Sequence, residues 1–100
     1  MATLYIAEFA SVGGTSNFGV AGGFTPPITE QTVAIGGGST PSAAFNANTA
    51  FVRLHADAIC SLAWGTSPTA TTSKMRMAAG QTEYFAVPQT GYKVAVISNT

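Results

Sequence analysis

Charge is what this chain has least of. Of its 100 residues only 8% are Asp, Glu, Lys or Arg, and the formal net charge is zero. That is about a third of the roughly 25% usual in a soluble domain. The four basic residues, Arg53, Lys74, Arg76 and Lys93, are too few and too spread to make the basic stripe that phosphate neutralisation needs, so nucleic acid is excluded as a partner. They also exclude a polybasic membrane anchor. No apolar run approaches the roughly 18 residues of a membrane span. The start, MATLYIAEFA, has no basic n-region, and Glu8 interrupts its apolar run, so no export signal is expected there. A single cysteine, Cys60, excludes an intrachain disulfide and a cysteine metal cluster, which fits synthesis in a reducing cytosol. One histidine, His55, leaves no second imidazole for a metal site.

The shortage of charge has two readings. A monomer with so little electrostatic protection tends to self-associate, so the chain is expected to bury much of its surface in an assembly. Alternatively Thr, Ser, Asn and Gln hydrate the surface. The apolar fraction of 46% is that of a globular chain and argues against global disorder.

Strand-like alternation is abundant, and no stretch carries a capped 3.6-residue stripe. Leu4 to Ala10 reads as a strand with Tyr5, Ala7 and Phe9 on one face and Leu4, Ile6 and Glu8 on the other. Gln31 to Ile35 is a second, broken by Gly36-Gly37-Gly38. Val52, Leu54 and Ala56 alternate with Arg53, His55 and Asp57, and Cys60, Leu62 and Trp64 alternate with Ser61 and Ala63. Gly65-Thr66-Ser67-Pro68 is a turn, as is Pro88 to Gly91. Met75 and Met77, then Glu83, Phe85 and Val87, then Tyr92, Val94 and Val96 complete the pattern. Short strands at this spacing predict an all-β, antiparallel β-sandwich of jelly-roll-like type. Its expected core is Val33, Ile35, Val52, Leu54, Cys60, Leu62, Tyr84, Val94 and Val96.

Ser11 to Pro27 is different. Gly13, Gly14, Gly19, Gly22 and Gly23 make it costly to order, yet Phe18, Val20 and Phe24 are too apolar for a plain linker. An extended N-terminal arm over residues 1–30 that orders against a neighbouring subunit accounts for both facts. A long internal loop packed on its own domain is the alternative. Residues 31–100 form the sandwich in this reading. The residues expected to contact a partner are Tyr5, Phe9, Phe18, Phe24 and Trp64.

Chemistry-bearing motifs are sparse. Gly36 to Thr40, GGGST, lacks the lysine and the spacing of a phosphate loop. His55, Asp57 and Cys60 do not share a strand face, since Cys60 points opposite to the other two, so no nucleophile–base pair is expected. No catalytic, cofactor-binding or metal residue is assigned, and the chain is not expected to be an enzyme. Trp64, Tyr84 and Tyr92 are candidates for a sugar-stacking platform, though such residues more often anchor cores or interfaces.

The run CSLAWGTSPTATTSKMRMAAGQTEYFAVPQTGYKVAVIS, Cys60 to Ser98, resembles small structural proteins of tailed bacteriophages. The likeness lies in a Gly-Thr-Ser-Pro-Thr-Ala-Thr turn after an apolar strand, a Met-Ala-Ala-Gly-Gln-Thr-Glu-Tyr-Phe run and a Gly-Tyr-Lys-Val-Ala-Val-Ile final strand. TVAIGG at Thr32 to Gly37 is a further point of likeness. The resemblance implies a β-sandwich that decorates or cements a capsid, or serves elsewhere in the virion, with no catalytic residues to carry over. It implies the major capsid protein and the chain itself, as homodimer or homotrimer, as partners. Its place would be the virion, after synthesis in the host cytoplasm. A carbohydrate-binding or host-adhesion module of a tail or fibre is the alternative.

Overall fold

Period-two alternation of apolar residues becomes ten strands in the computed structural model, which describes residues 2–10, 12–14, 19–23 and 26–99. They are β1 (Ala2–Phe9), β2 (Val12–Gly14), β3 (Gly19–Gly23), β4 (Thr29–Ile35), β5 (Thr40–Pro41), β6 (Phe51–Ala56), β7 (Cys60–Gly65), β8 (Met75–Met77), β9 (Thr82–Ala86) and β10 (Lys93–Ser98). Eight of them build two four-stranded sheets, in the orders β4-β1-β6-β9 and β5-β10-β7-β8, and β2 pairs with β3 alone. All the pairings are antiparallel. The architecture is all-β and consistent with a β-sandwich.

The core lies between the sheets because each strand offers one apolar face. From the first sheet come Leu4, Ile6, Val33, Ile35, Val52, Leu54 and Ala56, and from the second Cys60, Leu62, Met77, Val94 and Val96. Burying each large member contributes about 1.5–3 kcal/mol. Eight of the nine expected core residues are buried; Tyr84 is not. It is 54% exposed, because its partner in the ladder is Arg53 and the two stand on the outward side of the first sheet. Phe85, one residue on, turns inward against Trp64, with ring centroids 4.9 Å apart.

Residues 40–50 close one side of the sandwich. Ser42 exchanges backbone and side-chain hydrogen bonds with Val94, and the Phe45 N–H donates to the Tyr92 carbonyl. Phe45 thereby drops its ring into the core as part of a loop. On the far side of the second sheet the 66–73 loop folds back. Ala70 packs on Ala63 and Ala95, its N–H donates to Ser39 Oγ at 2.8 Å, and Asn99 Nδ2 donates to Ser61 Oγ at 2.7 Å and to the Thr72 carbonyl. That cover explains why Ser61 and Ala95, which point away from the core, are nevertheless buried.

β1 corrects the expectation of an arm over residues 1–30. It is an inner strand, paired to β4 on one side and to β6 on the other, so its backbone groups are already used and it has no free edge to lend a neighbour. The sandwich therefore includes residues assigned to the arm. What extends outward is the β2–β3 hairpin, the distal continuation of the β1–β4 pair. Among the described residues no other strand packs broadly against it. The molecule measures 46 Å along its longest axis and 26 × 21 Å across. An eight-residue strand spans only about 26 Å, so the sandwich alone does not reach that length.

Candidate functional site

The two outer faces of the sandwich are unequal. The second sheet is roofed by its own 66–73 loop, whereas the first presents a row-by-row surface set by register. Glu30, Ala7, Arg53 and Tyr84 form one row across β4, β1, β6 and β9. Thr32, Tyr5, His55 and Thr82 form the next. Phe9, Phe51 and Ala86 form a third. Alternation dictates this: Tyr5, Ala7 and Phe9 are the odd residues of a strand whose even residues fill the core.

Small Ala7 between longer neighbours leaves a depression of about 460 Å³, lined by Tyr5, Ala7, Glu30, Thr32, Arg53 and His55. Tyr5 is 46% exposed. His55 Nδ1 lies 2.8 Å from Thr82 Oγ1, which fixes the imidazole against β9. Phe9 and Phe51 stack at 5.0 Å, and Tyr84 leans on Phe51 at 6.4 Å. Tyrosine, arginine and histidine over a rigid sheet are residue types that serve as anchors in binding surfaces.

Of the expected partner-contact residues, Tyr5 and Phe9 share this side of β1, but Tyr5 is exposed whereas Phe9 is buried against Phe51. Phe18 and Phe24 lie outside the described residues. Trp64 is elsewhere: it sits at the margin of the core, packed on Phe45 and Phe85. Its indole N–H is buried without an oxygen or nitrogen partner among the described residues. Trp64, Met75, Phe85, Ala86, Pro88 and Tyr92 line an apolar cleft of about 290 Å³ between the β8 and β9 edges. Tyr84 stands on the opposite side of its sheet, so Trp64, Tyr84 and Tyr92 do not make one platform.

Arg53, His55, Glu30 and Phe51 were missed as surface residues of one face, although the alternation of β6 placed the first two opposite Leu54. What the sequence does not carry is the strand order that brings β4 and β9 alongside them.

His55 and Cys60 belong to different sheets, Asp57 is exposed, and burial pushes the Cys60 thiol above its ordinary pKa. The three therefore do not form a nucleophilic centre. Among the described residues no three His, Cys, Asp or Glu side chains come together. No family model, curated protein or solved structure matches the chain.

Proposed function

We propose that the chain is a non-enzymatic structural protein of a tailed-bacteriophage virion, a capsid decoration or cement protein that binds the shell of the major capsid protein as a homo-oligomer. The observation that carries this reading is the β2–β3 pair, a two-stranded sheet of its own between β1 and β4 in the chain, with no broad contact to another strand among the described residues. A two-stranded hairpin alone is at best marginally stable in water. From Phe9 to Ile28 the chain contains no Asp, Glu, Lys or Arg, so the segment suits burial against another protein better than life in solvent.

The phage resemblance of Cys60–Ser98 supplies the context. In that context a rigid sandwich carries the hairpin, and many copies acting together add weak contacts through multivalency. The sandwich is read as jelly-roll-like. Its support is that β1–β4 and β7–β8 are joined within a sheet while every other connection among the eight sandwich strands changes sheet.

Co-sedimentation with expanded empty shells of the phage that carries this protein tests the reading. The intact chain is expected to bind at a saturating, symmetry-related copy number. A variant with residues 11–26 replaced by Asn-Gly, a two-residue hairpin turn, is expected not to bind. An intact chain that ignores shells sinks the proposal.

A further inference from the structure

We propose that the outer face of the first sheet is a self-association surface, on which a second copy docks about a two-fold axis running along β1 beneath Ala7. This deepens the homo-oligomer part of the reading above and is independent of the shell.

The argument starts from charge. Of the strand residues on this face, Glu30 and Arg53 carry the formal charges, one of each sign. Register places them on either side of Ala7 in a single row, about 10 Å apart at the usual strand spacing. A two-fold axis parallel to β1 reverses the direction across the strands and preserves the direction along them. Glu30 of one copy then lies over Arg53 of the other, twice. An axis perpendicular to the strands would instead set Glu30 on Glu30 and Arg53 on Arg53, so the charge pattern selects one orientation and disfavours the other.

The other rows agree with that choice. Thr32 comes to face the His55 of the second copy, a pair able to hydrogen-bond. On the axis itself, Tyr5 meets Tyr5, an aromatic contact that favours offset or tilted stacking, while Phe9, 7% exposed, stays buried within its own chain. Ala7, with no bulk beyond Cβ, meets Ala7 and lets the sheets approach. Aligned face-to-face packing of twisted sheets, with strands within about 30° of each other, is an ordinary geometry for such a contact. The opposite face of the sandwich is not open in the same way, because the 66–73 loop already covers Ala63 and Ala95. Exposed tyrosines beside a desolvatable arginine are the residue types that dominate binding energy in small interfaces.

Four strands about 4.8 Å apart, with about 20 Å of length each, make a smaller contact than a standard interface. The dimer is therefore expected to dissociate in the micromolar range, and sedimentation velocity of the full chain should span about 2–200 µM. The wild type is expected to pass from monomer to dimer across that range. E30R and R53E each place like charges face to face and are expected to weaken the dimer at least about tenfold. The E30R/R53E double variant restores opposite charges and is expected to return to within about threefold of wild type. Y5C gives a second, covalent readout. The two thiols face each other across the axis on sheets about 10 Å apart, too far for a direct disulfide, so a short bismaleimide is expected to cross-link the dimer, with buried Cys60 not competing.

A wild type that stays monomeric, single variants that dimerise unchanged, a double variant that fails to recover, a trimer or larger ring, or no Y5C cross-link would each overturn the proposal. Dimerisation without binding to shells would leave it standing and remove only the shell reading.

Discussion

Glu8 Oε1 accepts a 2.8 Å hydrogen bond from Thr49 Oγ1, 41 residues away. The same oxygen accepts from the Asn46 N–H at 2.7 Å, and Oε2 accepts from Gln31 Nε2 at 3.2 Å. Glu8 is fully buried at the end of a strand face that otherwise holds Leu4 and Ile6. Its carboxylate thus ties the closing loop to β1 and, through Gln31 and Ala43, to β4.

Removing that carboxylate leaves up to three donors in a largely dry site without an acceptor. Each such orphan costs about 1–3 kcal/mol, against a total stability of about 5–15 kcal/mol for a small domain. Glu8→Ala is therefore expected to cost at least about 3 kcal/mol and Thr49→Val about 1 kcal/mol. Glu8→Gln falls between them, because its amide N–H2 meets the Gln31 donor. Urea denaturation of the three variants checks the order; a Glu8→Ala protein as stable as wild type would remove Glu8 from this role.

Glycine matters at two turns and not at a third. Gly80 and Gly91 have φ of 77° and 83°, in the left-handed region, while nothing crowds a Cβ at either position. Gly80→Ala and Gly91→Ala are expected to cost about 1 kcal/mol each, the left-handed penalty less the entropy removed from the unfolded chain. That corresponds to roughly 4–8 °C in Tm for a domain of this size. Gly37→Ala, exposed and without a positive φ, is expected to be neutral or slightly stabilising. Equal losses at all three positions would contradict the argument.

Alternation and turn chemistry made much of this fold readable. Val52, Leu54 and Ala56 announce their inward face, and Gly65–Pro68 announces the end of β7. The misreadings share a cause. Tyr84 and Phe85 are both large and apolar, and only the pairing of β9 with β6 decides which points inward. β1 looked like a detachable arm because its partners, β4 and β6, lie beyond a Gly-rich interruption. The candidate site was half legible: the outward sets of β1 and β6 follow from parity, but their meeting with Glu30 and Tyr84 is a matter of strand order.

Cys60 carries a pH signature. Burial raises its pKa above the ordinary 9.0, so the native state keeps the thiol proton where the unfolded chain has lost it. The native state then binds more protons above about pH 9, and stability falls as pH rises through that range, being fully present below it. The fall is expected to be shallower in Cys60→Ala, whose overall stability is lower at every pH because of the cavity it leaves. In native buffer the wild-type thiol should resist a disulfide reagent and react only on unfolding. Rapid labelling of the folded protein would contradict the burial.

The roof of the second sheet rests on a few polar contacts. Asn99 Nδ2 bridges Ser61 Oγ and the Thr72 carbonyl, and Ser61 is fully buried. Asn99→Ala leaves that hydroxyl without its donor and frees the loop, at an expected cost of about 1–2 kcal/mol. The loss should be local: faster amide exchange at Ala70, whose N–H is held by Ser39 Oγ, with little change at Leu54 in the other sheet. Replacing residues 11–26 by Asn-Gly is the counterpart at the other end of the molecule. Among the described residues no sandwich strand packs broadly on β2 or β3, so the shortened chain is expected to keep its stability within about 1 kcal/mol. A larger fall in a urea melt would mean that the hairpin packs on its own sandwich and is not held out for a partner.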